Sequence, residues 1–535
     1  MIVNSNLEAA WNYHNAPKHS YASVHNNLHF LDWHNQPLPF KAYTTLDPLP
    51  LLREVRQTGV AALSAIAERI RPDRSATPDL EALAQLLYLS AGITRHRKHP
   101  GGDIYLRAAA CTGALYEVEL YVVCGNLVDL EAGVYHFSPA EFALRRLRVG
   151  DYRSVLSEAT GGESTTVNAP LTIICTCTYW RNAWRYQART YRHFGWDNGT
   201  LLANLLAVAT ALGMPAKVIC GFVDAEVNRL LDVDPEREIA FSLVALGHVA
   251  ALPEHLPSNL SALHLETVPL SRNETVYPAM HEIHTASSLN SAEEVATWRG
   301  NAPRIELPAP TGPVIQLHPY SDTEMPRDPI ERVILRRGSA RKFGQVPIDL
   351  PQFSTMLDRA TRGVPADFLD PQRSQLNQLY LIVHAGEGLD PGADVFRLHR
   401  HELERLKTRD FRAQTGHLGL DQQLPAEDAA DMLVPGGLTN HIAAFRQADA
   451  KHPEARRSKA KADQGECRNA SHGGRGRGLV KKPGPKRRVT KGWRYRWPYL
   501  GQKRRLTTRA TILEGCRSRR EYGLKSPSVC ISSEA

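Results

Sequence analysis

The stretch Arg107-Ala-Ala-Ala-Cys-Thr-Gly-Ala-Leu-Tyr-Glu-Val-Glu-Leu-Tyr-Val-Val123 decides how this sequence is interpreted. From Tyr116 onward, apolar and polar side chains alternate, and this period-2 spacing predicts a β-strand. The first half holds small residues around Cys111, Thr112 and Gly113, which let backbone N–H groups come close to a ligand. Because an ordinary tight turn has the same pattern, the elements around it must decide between the two readings.

The segment from Arg107 to Tyr116 resembles the Arg-Ala-Ala-Pro-Ser-Ala-Gly-Ala-Leu-Tyr loop of SagB/ThcOx-type dehydrogenases, flavin (FMN) enzymes of the nitroreductase superfamily. The chain has Ala110-Cys111 where that family usually has Pro-Ser, so one typical loop contact with the flavin is altered. The resemblance covers residues 10–250 and returns weakly over 330–431. Its other motifs follow in the family's order: Tyr13–His19, Trp184–Arg192, Asp197–Gly199, Phe222–Asp232 and Leu243–Gly247.

The resemblance implies an FMN site and residues to hold it. The second part of the chain contributes Arg336-Arg-Gly-Ser-Ala-Arg-Lys-Phe343, which is similar to the Arg-Arg-Ser-x-Arg-x-Phe motif by which nitroreductases hold the flavin phosphate, although Gly338 is inserted. Two guanidiniums and a hydroxyl suit a phosphate dianion, while a solvated basic segment before a helix is the plain alternative. The cofactor-binding candidates are Arg107, Ala110, Cys111, Thr112, Gly113, Gly213, Met214, Arg337, Ser339 and Arg341.

A catalytic pair is also implied. Azoline-oxidising members of the family use a Lys-Tyr pair, which is matched here by Arg185-Tyr186. Tyrosine can exchange a proton when its pKa is tuned, whereas arginine is effectively always charged and cannot act as a base. We therefore predict a catalytic Tyr186 and an orienting Arg185, with azoline oxidation in doubt. The structural alternative for Tyr186 is a helix-surface aromatic side chain.

The expected function is that of an FMN-dependent oxidoreductase acting on a small-molecule or peptide-borne substrate. The alternative is a non-catalytic nitroreductase-like scaffold or binding protein. As the family often holds flavin between two such units, a homodimer or an intramolecular pseudo-dimer would complete the site.

The pattern of elements predicts an α+β fold. Thr77-Pro-Asp opens a helix that ends at Gly92, Leu171–Cys177 is a buried strand, and Asp197–Gly213 is a buried helix. Leu243–Leu246 closes the unit. One sheet covered by helices is expected, and the resemblance implies a nitroreductase-like three-layer fold with a central mixed or antiparallel sheet.

The first unit then starts again. Glu119–Val123, Leu147–Arg153 and Asp79–Leu83 recur in the same order as Gln378–Ile382, Leu406–Arg412 and Asp349–Phe353. We predict four regions: residues 1–255 form a nitroreductase-like domain, 256–328 a proline-rich linker, 329–432 an incomplete second copy and 433–535 a disordered basic tail.

The basic excess of the chain lies in that tail. The formal net charge is +9, and residues 441–535 hold 25 Lys+Arg against 7 Asp+Glu, so the rest of the chain is acidic. Low apolar content and high charge predict disorder, and a reading-frame change or fusion near residue 432 is the leading explanation. A nucleic-acid-binding tail is the less favoured one, with Trp493, Tyr495, Trp497 and Tyr499 between basic residues.

The remaining features predict a cytoplasmic protein with no membrane span, because no apolar run reaches about 18 residues and the N-terminus lacks a secretory pattern. Cys175 and Cys177 lie on one face of an apolar strand, which favours core packing over metal or redox chemistry. The histidines between His14 and His34 have no known ligand spacing, so no metal site is predicted.

Overall fold

The computed structural model describes residues 6–18, 29–70, 75–99, 102–249, 260–299, 308–339, 348–369, 378–383, 386–408 and 529–534. All of these residues belong to one compact unit, made of residues 1–449 and 526–535.

The helices are short except for one long central helix. In chain order they are α1 (Leu7–Asn15), α2 (Ala62–Ala65), α3 (Leu80–Ala91), α4 (Arg153–Ala159), α5 (Ser164–Val167), α6 (Tyr179–Tyr186), α7 (Thr190–Ala211), α8 (Asp224–Leu231), α9 (Pro278–Ser287), α10 (Ala292–Trp298), α11 (Ile330–Arg336) and α12 (Leu350–Ala360).

The strands fall into two larger sheets, a hairpin and a small parallel pair. They are β1 (Pro48–Pro50), β2 (Ile93–His99), β3 (Gly102–Arg107), β4 (Val118–Cys124), β5 (Gly133–Ser138), β6 (Ala143–Val149), β7 (Leu171–Thr178), β8 (Ala216–Ile219), β9 (Glu238–Leu246), β10 (Val314–Gln316), β11 (Ile348–Asp349), β12 (Gln378–Val383), β13 (Gly386–Glu387), β14 (Gly392–Arg397), β15 (Glu402–Thr408) and β16 (Val529–Glu534).

The central sheet has seven strands in the order β1-β6-β5-β4-β7-β9-β8, and every neighbouring pair is antiparallel. The strand predicted from the opening stretch is its middle strand, β4, whose Leu120 lies opposite Cys175 of β7. All seven residues of β4 are buried, so its polar side chains are not on a solvent face. Helices cover both faces of this strand and bury its charged residues along with its apolar ones.

Two hydrophobic cores, one on each face of the sheet, make the fold three-layered. Leu120 and Val122 pack into one core with Leu83 of α3 and Leu205 of α7. Their neighbours Tyr121 and Val123 pack into the other core with residues of α4 and α8, because successive side chains of a strand point to opposite faces. The predicted three-layer α+β fold is therefore confirmed, with an antiparallel sheet. Cys175 and Cys177 both lie in the first core, as predicted.

Two predicted helices have shifted boundaries. The α3 helix begins at Leu80, because the Asp79 carboxylate, and not Thr77, accepts the hydrogen bond from Ala82 N at 2.7 Å. The α7 helix begins seven residues before Asp197. It ends as predicted, with Gly213 at a φ of 71° and Met214 N donating back to Ala209 O.

The second part of the chain builds a sheet in the order β10-β15-β14-β12-β16. Its β12, β14 and β15 form an antiparallel meander like β4, β5 and β6. Asp349 caps α12 by accepting from Gln352 N at 2.7 Å, just as Asp79 caps α3. The sequence repeat thus corresponds to a repeat of local structure.

The interpretation of residues 256–328 as a linker needs correction. Met280 of α9 and Val295 of α10 are buried in the two cores of the first part, and β10 forms the edge of the second sheet. The prolines cluster after α10, where they restrict regular structure to an edge strand. The helices before them pack because their apolar side chains complete the cores.

The predicted disordered tail lies outside the described residues except for Val529–Glu534. These six residues form β16, which pairs antiparallel with β12, so disorder is the wrong prediction for them. Pairing is possible because the edge of β12 offers free backbone groups that any extended segment can bond. Within the described part of the chain, no helix is both long and apolar enough to cross a bilayer.

Candidate functional site

The small-residue loop between β3 and β4 forms a tight turn with unusual backbone angles. Gly113 has a φ of +64°, and Ala114 and Tyr116 both have a φ of +54°. A Cβ atom at Gly113 would lie 2.8 Å from the hydroxyl oxygen of Tyr186. The loop therefore needs glycine here for two reasons: the left-handed conformation and the close approach of Tyr186.

The central helix α7 holds the loop in place. The Asp197 carboxylate accepts hydrogen bonds from Thr112 N at 2.8 Å and from Thr112 Oγ1 at 2.9 Å. One turn further along, Thr200 Oγ1 donates to Ala110 O at 2.6 Å. The loop is thus fixed by a helix whose other face lies in the core.

Arg107 is buried behind the loop. Its backbone N–H donates to the Tyr116 hydroxyl at 3.0 Å, and its Nη2 donates to Pro39 O at 3.0 Å. The guanidinium also lies over the rings of Phe40 and Tyr116. Its Nε atom is buried without a hydrogen-bond partner, which leaves one donor available in the interior.

Cys111, Glu117 and Asp197 form a buried cluster under the loop. The Cys111 thiol lies 3.4 Å from Glu117 Oε2 and 3.3 Å from Asp197 Oδ2. Burial, with the neighbouring Asp197 in second place, raises the pKa of the Glu117 carboxyl well above its ordinary value. Burial likewise raises the pKa of the Cys111 thiol well above its ordinary value. Burial therefore favours the protonated form of both groups.

The same three residues are of the types that bind metal ions, and their ligand atoms lie within 4.8 Å of one another. A hydrogen bond from the single Cys111 S–H to one carboxyl group, with the other carboxyl group in contact with the sulfur, accounts for these distances. The geometry therefore supplies no separate reason for a metal at this cluster.

The predicted catalytic pair lies at the end of α6. Tyr186 packs edge-on against His193, with ring centroids 4.6 Å apart, and the exposed Arg185 guanidinium lies 5.6 Å from the Tyr186 ring centroid. Burial raises the pKa of Tyr186. The shift opposes use of this tyrosine as a base at neutral pH and favours a role in which it holds or donates its proton.

The second part of the chain reaches the same loop through Arg337. Its Nη2 donates to Ala108 O at 3.0 Å. Ser339 follows on an exposed segment, and Arg341 lies outside the described residues. Of the three predicted phosphate-binding residues, Arg337 is therefore the one that the structure places in contact with the loop.

Gly213 and Met214 lie at the far end of α7. Fourteen residues separate Asp197 from the last helical residue, Ala211, which corresponds to about 20 Å along the helix axis. Met214 is buried in the core. These two predicted cofactor-binding residues are not brought to the loop, because a helix of this length carries its C-terminus away from the contacts made at Asp197.

A small cavity with a volume of about 20 Å³ opens beside the loop. Its lining residues are Ser90, Ala91, Arg107, Ala109, Ala110, Cys111, Tyr116, Val118, Asp197 and Leu201. The wall is mostly small or apolar, and its polar groups are those of Arg107, Cys111 and Asp197.

The family comparison agrees with this geometry. Residues 73–248 match the sequence profile of the nitroreductase family. The chain therefore contains a nitroreductase-family domain. This domain is an oxidoreductase-type module, and it includes the loop, the central helix and the whole of β4 to β9.

Relatives of this nitroreductase domain include curated proteins from archaea and bacteria. MJ1384 of Methanocaldococcus jannaschii is 25% identical over 168 residues, which are 31% of this chain and 80% of that protein. The microcin B17-processing protein McbC of Escherichia coli is 28% identical over 133 residues, which are 24% of this chain and 48% of McbC. The match thus spans about half of McbC.

A solved structure from Anabaena variabilis, described as of nitroreductase type, covers 83% of this chain and 89% of its own chain, with a TM-score of 0.57 and 22% identity. This likeness shows the fold, and it extends beyond the nitroreductase domain into the second part of the chain.

The wall of the cavity offers one donor of the kind that an edge of a flavin would need. The ring system of FMN carries hydrogen-bond acceptors along its pyrimidine edge, and the unpaired Nε of Arg107 is a buried donor that can meet them. The cavity volume of about 20 Å³ is far below the roughly 300–1,000 Å³ of typical cofactor pockets, so binding of a flavin ring would require the surrounding side chains to move. A movement of Tyr186 away from Gly113 would widen the nitroreductase cavity on its loop side.

Several site residues were not identified from the sequence. Glu117 was interpreted as a strand residue, and the partnership of Asp197 with the loop was not foreseen. The signal for Glu117 was a pair of carboxylates: Glu119 lies in the middle strand of the sheet and Glu117 directly before it. Burial forces each of them to find a partner. No pattern in the sequence pairs Asp197 with Thr112.

Proposed function

We propose that this protein is an FMN-dependent oxidoreductase of the SagB type, acting on a small-molecule or peptide-borne substrate. The observation that carries the proposal is the loop cavity of the nitroreductase domain. There, buried Arg107, whose Nε has no partner, lines the cavity together with small residues, and Tyr186 lies over Gly113 of the loop.

The residues that would hold FMN come from both parts of the chain. Arg107 would donate to the polar edge of the ring, and the small side chains of Ala109 and Ala110 would allow the ring to approach the backbone. Arg337, which is bonded to Ala108 O, would bring positive charge toward the phosphate together with Ser339. When bound, FMN supplies the acceptance and donation of hydride.

Tyr186 and Arg185 would act on the substrate side. With its pKa raised by burial, Tyr186 keeps its proton at neutral pH and would donate a hydrogen bond that orients the substrate. The exposed Arg185 would hold an acidic or carbonyl group of the substrate. A peptide-borne substrate is suggested by the name of McbC, a microcin-processing protein, since that relative shares the nitroreductase domain.

An intramolecular pseudo-dimer is the assembly that the contacts favour. Helix α11 of the second part packs against the first: Arg95 Nη2 donates to Arg336 O at 2.9 Å, and the buried carboxylate of Glu331 accepts from Thr58 N at 3.0 Å. The second part is thus fixed beside the loop, where it would complete the flavin site without a second chain.

The test is the absorption spectrum of the purified full-length protein. A flavin spectrum whose chromophore is released by denaturation and identified as FMN by mass is the expected result. Reconstitution of stripped protein with FMN and, in parallel, with riboflavin then separates the contribution of the phosphate. A Lys98→Gln variant, which changes a cation on β2, serves as the matched control for Arg337→Gln.

Protein that neither carries FMN nor takes it up after reconstitution would contradict the proposal and leave the scaffold reading. If Arg337→Gln and Lys98→Gln change FMN retention equally, Arg337 is not part of the binding site. The assignment of FMN as the cofactor would be unaffected.

A further inference from the structure

A second cavity lies away from the loop, at the N-terminus of α6. It has a volume of about 160 Å³. Its inner wall includes Thr178, Arg181, Lys41 and Glu238, while the half-buried Asp232 and the exposed Asp234 and Arg237 line its rim. None of these residues lines the loop cavity of the proposed flavin site.

The inner wall presents hydrogen-bond donors that have no partner in the protein. Arg181 is 1% exposed, and its Nη1 donates to Glu119 Oε1 at 2.5 Å and to Tyr116 O at 2.8 Å. Its Nε and Nη2 atoms are buried without partners. These two N–H groups lie side by side on the guanidinium, the geometry that binds a carboxylate or phosphate with two parallel hydrogen bonds.

The helix end adds further donors. The first-turn N–H groups of an α-helix have no partner within the helix. Thr178 precedes α6 but makes no capping hydrogen bond, and its buried Oγ1 has no partner. The N–H of Tyr179, the first residue of the helix, donates to Arg237 O at 3.0 Å. The eight-residue helix therefore directs the later N–H groups of its first turn and the positive end of its dipole to the place where Thr178 and Arg181 line the cavity.

The buried charges around Arg181 are paired, but two of its N–H groups are not used. Lys41 Nζ donates to Glu238 Oε2 at 2.6 Å, so these two charges form a pair. The counter-charge of Arg181 is Glu119, which accepts from Nη1. The Nε and Nη2 groups of Arg181 therefore remain available to a ligand.

The acidic residues at the rim of the cavity do not accept hydrogen bonds from the Nε and Nη2 groups of Arg181. Asp232 accepts hydrogen bonds from Leu263 N and Leu265 N, and Asp234 accepts from Glu236 N. Their carboxylates are satisfied at the rim.

We propose that this cavity is a binding site for an oxyanion, the carboxylate or phosphate group of a small ligand, held by Arg181, Thr178 and the N-terminus of α6. The rest of the ligand would extend into the adjoining cavity of about 450 Å³, which shares Asp234 and Arg237 and is walled by Tyr179, Trp180 and Met280. The site is independent of the proposed flavin.

The experiment is isothermal titration of the full-length protein with inorganic phosphate and, separately, with acetate, at constant ionic strength and in an amine buffer. Saturable binding of at least one anion to one site is expected. The anion that saturates the site at the lower concentration shows whether the site prefers a phosphate or a carboxylate group.

Two variants locate the site. Thr178→Val removes a hydroxyl that makes no bond in the protein, so folding should be unaffected while anion affinity falls about 3- to 10-fold. Thr160→Val, which removes a buried hydroxyl outside the cavity, should leave affinity unchanged. Arg181→Gln should abolish binding, and the Thr178 variant keeps the test valid if that protein does not fold.

Three results would overturn the proposal. One is the absence of saturable binding of either anion up to tens of millimolar. Another is an equal effect of Thr178→Val and Thr160→Val, which would indicate a general change in stability. The third is loss of binding in Arg337→Gln with none in Thr178→Val, which would place the anion near the loop.

Discussion

Gly113 shows how much can depend on one residue of the loop. Its φ of +64° is one that side chains with a Cβ rarely adopt, and Tyr186 lies against the position where that Cβ would be. The space that the sequence suggested for a cofactor is partly taken by this tyrosine. A substitution at Gly113 therefore acts on the backbone, on Tyr186 and on the cavity together.

We predict that Gly113→Ala lowers the free energy of unfolding by about 1–3 kcal/mol because of the strained backbone, and that it reduces FMN retention. Denaturant unfolding and the flavin-to-protein absorbance ratio measure the two effects. The control is Gly199→Ala, since this exposed glycine of α7 has open space around its Cβ position. It should be neutral or stabilising by up to about 1 kcal/mol. Equal flavin content in both variants would show that the loop is an ordinary turn.

We predict that Tyr186→Phe leaves FMN bound but lowers turnover by about 10²–10⁴-fold with any substrate that reduces the flavin, the range of general acid–base roles. Because burial raises the pKa of Tyr186, activity in the wild type should not depend on ionisation of this tyrosine near neutral pH. Steady-state rates measured from pH 6 to 9 test both points. Wild-type rates in the variant would leave Tyr186 as a packing residue.

At the scale of single elements, β4 and α8 show how burial changes acidic side chains. In β4, Arg181 and His136 stabilise the Glu119 carboxylate, and its pKa is lowered against the effect of burial. At the start of α8, burial dominates, and the pKa of Asp224 is raised to about 7. The two carboxyl groups therefore make opposite contributions to stability as the pH changes.

We predict that Glu119→Gln destabilises the protein by about 3–5 kcal/mol, because Arg181 would be left as a buried charge without its partner. As the folded-state pKa of Glu119 is depressed, its contribution is present above the unfolded value of about 4.3 and is lost as the pH falls through the folded pKa. Denaturant unfolding at pH 7 measures the loss. Glu141→Gln, which breaks a partly exposed ion pair with Arg145, should cost about 1 kcal/mol or less.

We predict that Asp224→Asn stabilises the protein at pH 8 by on the order of 1–3 kcal/mol, and that the gain disappears at pH 4. The folded-state pKa is raised, so the wild type has the full benefit of the neutral carboxyl below about pH 4 and loses it as the pH rises to about 7. Asparagine keeps an oxygen that can accept from Leu289 N. Unfolding curves at both pH values test this, with the exposed Asp129→Asn as the control. A gain that does not vary with pH would contradict the prediction.

At the scale of the whole molecule, the first part of the chain is completed by residues beyond its last strand. Leu260, Leu270, Met280, Leu289 and Val295 are buried in its two cores. The boundary of the folded unit therefore lies after α10, not at residue 255.

We predict that a fragment of residues 1–299 is more stable than one of residues 1–255 by at least about 5 kcal/mol, given that full burial of each large apolar side chain is worth about 1.5–3 kcal/mol. Urea unfolding of both fragments measures the difference. Met280→Ala in the longer fragment should remove about 2–5 kcal/mol. Equal stability of the two fragments would restore the domain boundary predicted from the sequence.

The sequence by itself determined the elements and their class. The alternation after Tyr116 predicted β4, the apolar arc of residues 201–212 predicted the buried helix with its stop at Gly213, and Thr77-Pro-Asp predicted the helix α3, although its cap is Asp79. These features follow from local periodicity and capping, which are properties of neighbouring residues. The loop from Arg107 to Gly113 and its closeness to the segment of Tyr186 could also be expected from the ordered motifs.

Only the tertiary structure decided which distant side chains meet. Asp197 holds Thr112 across 85 positions of sequence, Arg337 reaches Ala108, and Gly213 lies at the wrong end of α7 for the loop. The same is true of the ionisation states, since Glu117, just before β4, and Glu119, within it, are two residues apart and yet have opposite pKa shifts. His136 of β5 and Arg181 of α6 lie beside the carboxyl group of Glu119. The carboxyl group of Glu117 lies in an apolar surrounding beside the acidic Asp197. A side chain's charge is set by the groups packed around it, and the sequence does not contain their distances.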